Sequence, residues 1–187
     1  ARLAKACGFS RVVLARETPL ADIPAISAVI ETEAFVQGAL CTCFSGQCYL
    51  SSFAGNNSGN RGRCKQPCRK RYSIDRAGYE DRAYAISLSD LSVGADAEKL
   101  LSAGVTSLKI EGRMRSAAYV AAAVEYYRAL LDKRPADELF SRLKRTFNRG
   151  NYTRGLAFGQ DANLLSRSVQ GHIGERVGVL SRRDGKW

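Results

Sequence analysis

The 187-residue chain has 45% hydrophobic residues, and its 29 Lys and Arg against 18 Asp and Glu give a formal net charge of +11. This length suits a domain with an ordinary core, and the composition excludes a disordered or fibrous protein. The positive charge makes a polyanion such as nucleic acid a candidate partner. The longest apolar run, residues 117–124, is too short to cross a bilayer, and no secretory signal is visible, so we expect a soluble cytoplasmic protein without membrane contact.

Short apolar runs alternate with amphipathic stretches along the first 135 residues. The chain opens on the end of a helix that Gly8 stops. Strands are predicted at residues 11–15, 34–37, 83–87 and 106–110. Helices are predicted at residues 20–30, from a cap at Ser89 or Asp90 to residue 101 before Gly104, and at residues 117–132 behind a cap at Ser116. This alternation predicts an α/β fold with a parallel sheet.

The composition of the sequence changes after Pro135. Turn-forming residues dominate from there, and residues 174–180 followed by 182–186 are typical of a strand entering a hairpin. We therefore predict a domain boundary near residue 136. Both ends of the chain read as cut from a longer polypeptide.

Five of the six cysteines lie within residues 41–68. Cys41, Cys48, Cys64 and Cys68 are separated by six, fifteen and three residues, and Cys43 is an extra thiol between the first two. Four thiolates can hold either a zinc ion or an iron-sulfur cluster. The long first gap favours a cluster modestly, because zinc ligands usually come in pairs two to four residues apart. Buried, inert cysteines are the alternative interpretation.

Residues 33–51, which read EAFVQGALC, four residues, then GQCYLS, resemble the signature of the collagenase-like peptidase family U32. The resemblance continues through NRGRCKQPCR at residues 60–69, SLKIEGR at 107–113 and FNRG at 147–150. It thus covers nearly the whole chain.

The resemblance implies a TIM-type (β/α)8 barrel followed by a small β-rich domain. The four predicted strands resemble the second half of that barrel, so we expect residues 1–135, with a Cys-rich loop at 41–72, to form about four parallel βα units. Residues 136–187 would be a linker and the start of the β-rich domain. A missing amino-terminal half, or a second copy of the chain, is expected to cover the open half barrel, and this fragment alone is expected to be inactive.

Several members of this family hydroxylate tRNA, ribosomal RNA or a quinone precursor, in association with a [4Fe-4S] cluster on four cysteines. At the matching positions these ligands are Cys41, Cys48, Cys64 and Cys68, with Cys43 as the alternative fourth ligand. Zinc or an empty site would be the other possible state. The family resemblance therefore predicts Fe-S-dependent RNA hydroxylation.

Barrel enzymes place their working residues at the carboxyl ends of strands. By that rule the catalytic candidates are Arg16, Glu17, Glu111 and Arg113. Glu111 is the first choice for acid-base chemistry or substrate anchoring, and a salt bridge with Lys109 or Arg113 is its structural alternative. Gln37, Ser87 and Asp90 also follow predicted strands.

A dense group of cations follows the third cysteine of the chain's Cys-rich loop. Six lie within twelve residues, with Tyr72 beside them, and are the predicted RNA contacts: Arg61, Arg63, Lys65, Arg69, Lys70 and Arg71. The alternative is a solvated loop whose charges screen a negative cluster.

Two further function classes remain. A peptidase is supported by the family's historical name, but the one histidine, His172, lies beyond the barrel segment, and neither HExxH nor Gly-x-Ser-x-Gly occurs. A structural zinc-binding module that docks RNA or protein is the third class.

Overall fold

The computed structural model describes residues 1–73, 83–113, 115–159, 161–174 and 178–181. Within these residues it has five strands and six α-helices. The strands are β1 (Arg11–Val13), β2 (Glu31–Ala39), β3 (Asp90–Ser92), β4 (Ser107–Ile110) and β5 (Tyr152–Thr153). The helices are α1 (Arg2–Ala6), α2 (Ile23–Ser27), α3 (Leu50–Phe53), α4 (Ala97–Ser102), α5 (Ala117–Leu131) and α6 (Asp137–Thr146).

The nine-residue strand β2 is the centre of the single mixed sheet. It runs parallel to β1 along its first residues and parallel to β4 along its middle, with an irregular register between Phe35 and Gln37. Its last residues pair antiparallel with β3, and β3 pairs parallel with β5. The α/β class is thereby confirmed.

The third predicted strand is wrong in position and direction. Residues 83–87 form no strand, and the sheet instead takes Asp90–Ser92, antiparallel to β2. Residues 87–92 carry mostly polar side chains, yet Ser87, Ser89 and Asp90 are buried. Burying such groups is favourable only when distant residues satisfy them, and the local sequence pattern does not reveal those partners.

The structure confirms some of the predicted helix ends and differs from others. The Ser116 Oγ accepts a hydrogen bond from the Tyr119 amide at 3.2 Å and caps α5 as predicted. Gly8 and Gly104 follow α1 and α4 with φ of 84° and 100°, so both predicted stops are confirmed. The second predicted helix is shorter than expected, a 3-10 turn followed by α2, and the third begins only at Ala97 because its predicted caps lie at β3.

The core lies between β2 and α5. Val36, Tyr119, Ala123 and Leu143 are almost fully buried, and the buried Tyr127 hydroxyl donates to the Val36 carbonyl at 2.6 Å. α6 packs on α5, and β5 extends the sheet, so residues of the segment after 136 share this layer. The boundary near residue 136 stays a prediction.

The predicted carboxyl-terminal hairpin falls largely outside the described residues. Residues 175–177 and 182–187 are not among them, and residues 178–181 form no strand. No helix in the described part of the chain combines the length and apolarity that a bilayer crossing requires.

Candidate cysteine-lined site

The carboxyl end of β2 leads into a cavity of about 320 Å³. Ala39 and Leu40 line it where β2 ends, and Glu111 lines it directly after β4. Four thiol-bearing residues that lie up to 27 positions apart in sequence share its wall: Cys41, Cys48, Cys64 and Cys68. The fold therefore brings together the four cysteines that the resemblance assigned as ligands.

Cys43 has a different environment. It is not among the described residues that line the cavity, and its Sγ lies 3.6 Å from the Gln47 carbonyl oxygen, to which it donates. The sixth cysteine, Cys7, is exposed at the end of α1. The alternative fourth ligand thus points into its own loop in this structure.

Two of the thiols in the cavity are disfavoured as thiolates. Partial desolvation by the surrounding cavity wall raises the pKa of Cys68 and of Cys41, although Cys41 remains exposed overall, and the other thiols of the cavity raise it further. Arg16 opposes the shift at Cys41, and Arg69 opposes it at Cys68. Within the described residues, no three His, Cys, Asp or Glu side chains stand close enough to hold one metal ion.

Glu17 fixes the first half of the Cys-rich loop. Its carboxylate accepts two hydrogen bonds from Ser45, one from the amide at 2.6 Å and one from the hydroxyl at 2.9 Å. The Arg16 amide donates to the same hydroxyl at 3.3 Å. Because Ser45 lies between Cys41 and Cys48, the predicted catalytic candidate Glu17 holds the segment that carries two of the thiols.

The second half of the loop folds back onto the first. The Asn60 amide group donates to the Gly46 carbonyl at 2.9 Å, and the Lys65 backbone amide donates to the Ser51 hydroxyl at 2.9 Å. A Cβ placed on Gly59 would lie 3.7 Å from the Cβ of Cys64. These contacts bring Cys64 alongside the segment that contains Cys48.

Arg69 departs from its predicted role as an RNA contact. Its side chain is buried, with 3% of the residue exposed, and it donates to the Ser87 hydroxyl at 2.8 Å and to the Leu40 carbonyl at 2.9 Å. A further bond joins it to the Leu88 carbonyl. Burial lowers the pKa of this guanidinium, and the neighbouring Cys68 opposes that shift. Arg69 anchors the loop to the sheet, because buried carbonyls need donors that the backbone does not supply here.

Glu111 forms an ion pair, with a partner that was not foreseen. Its carboxylate lies 3.6 Å from the Arg16 guanidinium, which also stacks 3.7 Å from the centre of the Phe35 ring. Lys109, one of the two predicted partners beside Arg113, instead pairs with Glu33 at 2.7 Å. Arg16, Glu111 and Arg113 all line the cavity, so three of the four catalytic candidates share its wall with the four thiols.

The sequence analysis did not predict a charge network that adjoins the cavity through Arg115. Asp90 lies 2.8 Å from the Arg149 guanidinium and 3.3 Å from that of Arg115, and burial lowers the pKa of Arg149 to about 10. Arg115 stacks 3.4 Å from the centre of the Phe147 ring and lines the cavity. The FNRG segment at residues 147–150 was the available signal, because it supplies both Phe147 and Arg149.

His172 serves this same region and not the thiols. Its ring stacks on Phe147 with 5.3 Å between centroids, and its Nδ1 accepts from the Asn148 amide at 3.0 Å. It is not among the described residues that line the cavity. A cysteine-histidine pair for peptide hydrolysis is therefore not formed by these described residues.

The remaining predicted RNA contacts are exposed: Arg61, Arg63, Lys65, Lys70 and Arg71. Arg71 lies over the Tyr84 ring at 5.3 Å. Tyr72 is half-buried, and its hydroxyl donates to the Pro67 carbonyl at 2.9 Å. The structure therefore presents the cations to solvent but uses Tyr72 internally.

Comparison with known families and proteins gives a consistent match. The profile of peptidase family U32 matches residues 1–166. The chain is 40% identical over 141 residues to "tRNA hydroxylation protein P1" of Bacillus subtilis, covering 70% of this chain and 33% of that protein. It is 42% identical over 132 residues to "23S rRNA 5-hydroxycytidine C2501 synthase" of Escherichia coli, covering 67% of this chain and 20% of that protein.

A relative named for proteolysis also matches. "Collagenase" of Porphyromonas gingivalis is 39% identical over 106 residues, covering 55% of this chain and 29% of that protein. The chain thus spans a third or less of these three relatives. No solved structure matches the chain.

Proposed function

Because the chain belongs to peptidase family U32, we propose that it is the cluster-binding part of a cytoplasmic enzyme that hydroxylates tRNA or rRNA. The observation that carries this proposal is the cavity shared by Cys41, Cys48, Cys64 and Cys68. The relatives named for tRNA and rRNA hydroxylation support the substrate class.

The donor set fits an iron-sulfur cluster better than a single zinc ion. Thiolates are the usual ligands of such clusters, and four of them line one cavity. Zinc ligands usually come in pairs with two to four residues between them, whereas six residues separate Cys41 from Cys48. We therefore propose a [4Fe-4S] cluster on these four cysteines.

When bound, the cluster would supply redox chemistry that no amino-acid side chain offers. Arg16 and Arg69 stand beside the thiols and would offset the negative charge of the four thiolates. Glu17 would hold the ligand loop through Ser45. These roles use only contacts that the protein already makes.

Glu111 is our proposed acid-base or substrate-anchoring residue. It borders the cavity, and its side chain is one-third exposed, so a substrate can reach it. Arg16 holds its carboxylate in place at 3.6 Å. Arg113 borders the same space and would add positive charge for an anionic substrate.

We further propose that the described sheet is part of a (β/α)8 barrel completed by another segment. The parallel strands β1, β2 and β4 carry this proposal, and the antiparallel β3 departs from the barrel pattern. Within the described residues, β1 and β4 each pair only with β2, so their outer edges are open for an amino-terminal half or a second copy. The chain covers only 33% and 20% of the length of two relatives, and this supports completion by an amino-terminal half.

Two measurements test the function. Anaerobic purification with iron, sulfide and zinc assays should give iron and acid-labile sulfide in about equal amounts, with a broad visible absorbance. Mass spectrometry of nucleosides from cells that lack the protein should show loss of a hydroxylated pyrimidine from tRNA or rRNA. Zinc alone in the anaerobic preparation would favour the zinc module, and intact RNA modification together with peptide cleavage would favour the peptidase.

A further inference from the structure

Three exposed aromatic side chains lie in the Cys-rich loop, one of them in the cavity wall and two beside residues of that wall. Phe44, Tyr49 and Phe53 are 71%, 61% and 91% exposed. We call these three residues the aromatic rim. Within the described residues no ring-ring or cation-ring contact engages any of them. Large apolar rings so fully hydrated are available to a partner.

The aromatic rim is fixed next to the cavity and next to exposed cations. Phe44 itself lines the cavity. Tyr49 directly precedes α3, and Phe53 is the last residue of that helix. From within α3, Ser51 accepts a hydrogen bond from the Lys65 amide at 2.9 Å. The exposed cations Arg61, Arg63 and Lys65 therefore lie on the segment that contacts α3, the helix between Tyr49 and Ala54.

The charge of this surface identifies the class of partner. Residues 41–73 contain five exposed Lys and Arg besides the buried Arg69, and no Asp or Glu. An apolar protein partner would use the rings but would gain nothing from an acid-free basic segment. A nucleic acid uses both, since its phosphates contact cations and its bases stack on rings.

We propose that the aromatic rim is a stacking platform for unpaired bases of an RNA segment, while Arg61, Arg63 and Lys65 contact its phosphates. This inference rests on the proposed function and narrows its substrate to a single-stranded loop or end. Bases in a duplex are already stacked on their neighbours and cannot lie on a protein ring, so the platform selects unpaired RNA. The segment would then lie across the mouth of the cavity that holds the thiols.

The test is a binding measurement with two RNA probes. Fluorescence anisotropy would compare a labelled single-stranded 12-mer of mixed sequence with the same 12-mer in a duplex, at two salt concentrations. The rim variant is F44L/Y49L/F53L, which keeps apolar side chains but removes the flat rings. The charge variant is R61Q/R63Q/K65Q, and the matched control is F9L, an exposed phenylalanine near β1.

Wild-type protein should prefer the single strand, and the rim variant should bind it at least about five-fold more weakly, because stacking contributes about 1–3 kcal/mol per base. Its duplex affinity and its salt dependence should stay as in wild type, and F9L should bind as wild type does. The charge variant should weaken both probes and flatten the salt dependence.

Two results would overturn the inference, and they are distinguishable. If the rim variant binds the single strand as tightly as wild type while the charge variant does not, the platform is wrong but RNA binding stands. If wild-type protein binds neither probe, the proposed RNA function fails as well. If the triple variant is unstable, the single variant F53L replaces it in the binding test, because a side chain that is 91% exposed contributes little to packing.

Discussion

A Cβ placed on Gly38 would lie only 2.5 Å from the Cβ of Glu111, so the ends of β2 and β4 meet with no room for a side chain. Gly38 also has φ of 126°, in the region that favours glycine. The adjacent Glu111 amide donates to the Gln37 carbonyl at 2.8 Å. This close approach places Glu111 beside the strand end that leads to Cys41.

Gly38→Ala should therefore destabilise the protein and displace Glu111. Steric overlap adds to the strain of the backbone, and together we expect a loss of about 2–4 kcal/mol in the free energy of unfolding, measured by denaturant titration. Gly46→Ala is the matched control, because Gly46 has φ of 78° with nothing within 4 Å of its Cβ position. Equal losses in the two variants would show that the Glu111 contact has no energetic effect.

Glu17→Gln should loosen the ligand loop without removing a ligand. The neutral amide replaces a carboxylate that accepts two hydrogen bonds from Ser45, so we expect a loss of about 1–3 kcal/mol in local stability. Amide hydrogen exchange should speed up at Ser45, and less iron should be retained after anaerobic reconstitution. Glu31→Gln, which alters an exposed pair with Arg11, should change neither. Unchanged exchange at Ser45 would contradict the positioning role of Glu17.

Serine replacement separates the cavity cysteines from the other two. C41S, C48S, C64S and C68S should each lower bound iron and the visible absorbance strongly, because each removes a thiol from the cavity wall. C43S and C7S should retain both, since neither residue is among the described lining residues. Loss of the absorbance in C43S with retention in one of the four would instead make Cys43 the fourth ligand.

Asp90→Asn should be severely destabilising. It leaves the buried guanidinium of Arg149 and the partly buried one of Arg115 without their counter-charge, and breaking a buried pair costs about 3–5 kcal/mol. Chemical denaturation should report this loss. D132N, in an exposed ion pair with Arg128, should have no measurable effect. A mild effect of D90N would mean that water or other groups replace the carboxylate.

Stability should fall in acid partly through Glu33. The hydrogen bond from Lys109 is the largest cause that lowers the pKa of Glu33, against the opposing effect of burial. Because the folded pKa is depressed, this stabilisation is present above the unfolded value of about 4.3 and is lost as pH falls through the folded value. E33Q and K109M should each reduce the acid sensitivity of the unfolding free energy, and the double variant should add nothing more. Additive effects would show that the two side chains act independently.

Local signals in the sequence determined several features that the structure confirms. Ser116 caps α5, Gly8 and Gly104 end their helices, and the strands near residues 11, 34 and 107 lie where apolar runs predicted them. These features depend on neighbouring residues along the chain, such as a hydroxyl within reach of a helix amide. The cysteine spacing predicted one shared site, and that remains a prediction.

Only the tertiary structure decided which distant groups meet. Arg69 lies in a basic stretch of the sequence and was predicted to be a surface cation. It is buried instead, because the carbonyls of Leu40 and Leu88 need its donors. Asp90 was predicted to cap a helix. It lies in a strand instead, because Arg115 and Arg149 neutralise its charge from elsewhere in the chain. A charge is exposed or buried according to partners that folding supplies, and no local pattern records those partners.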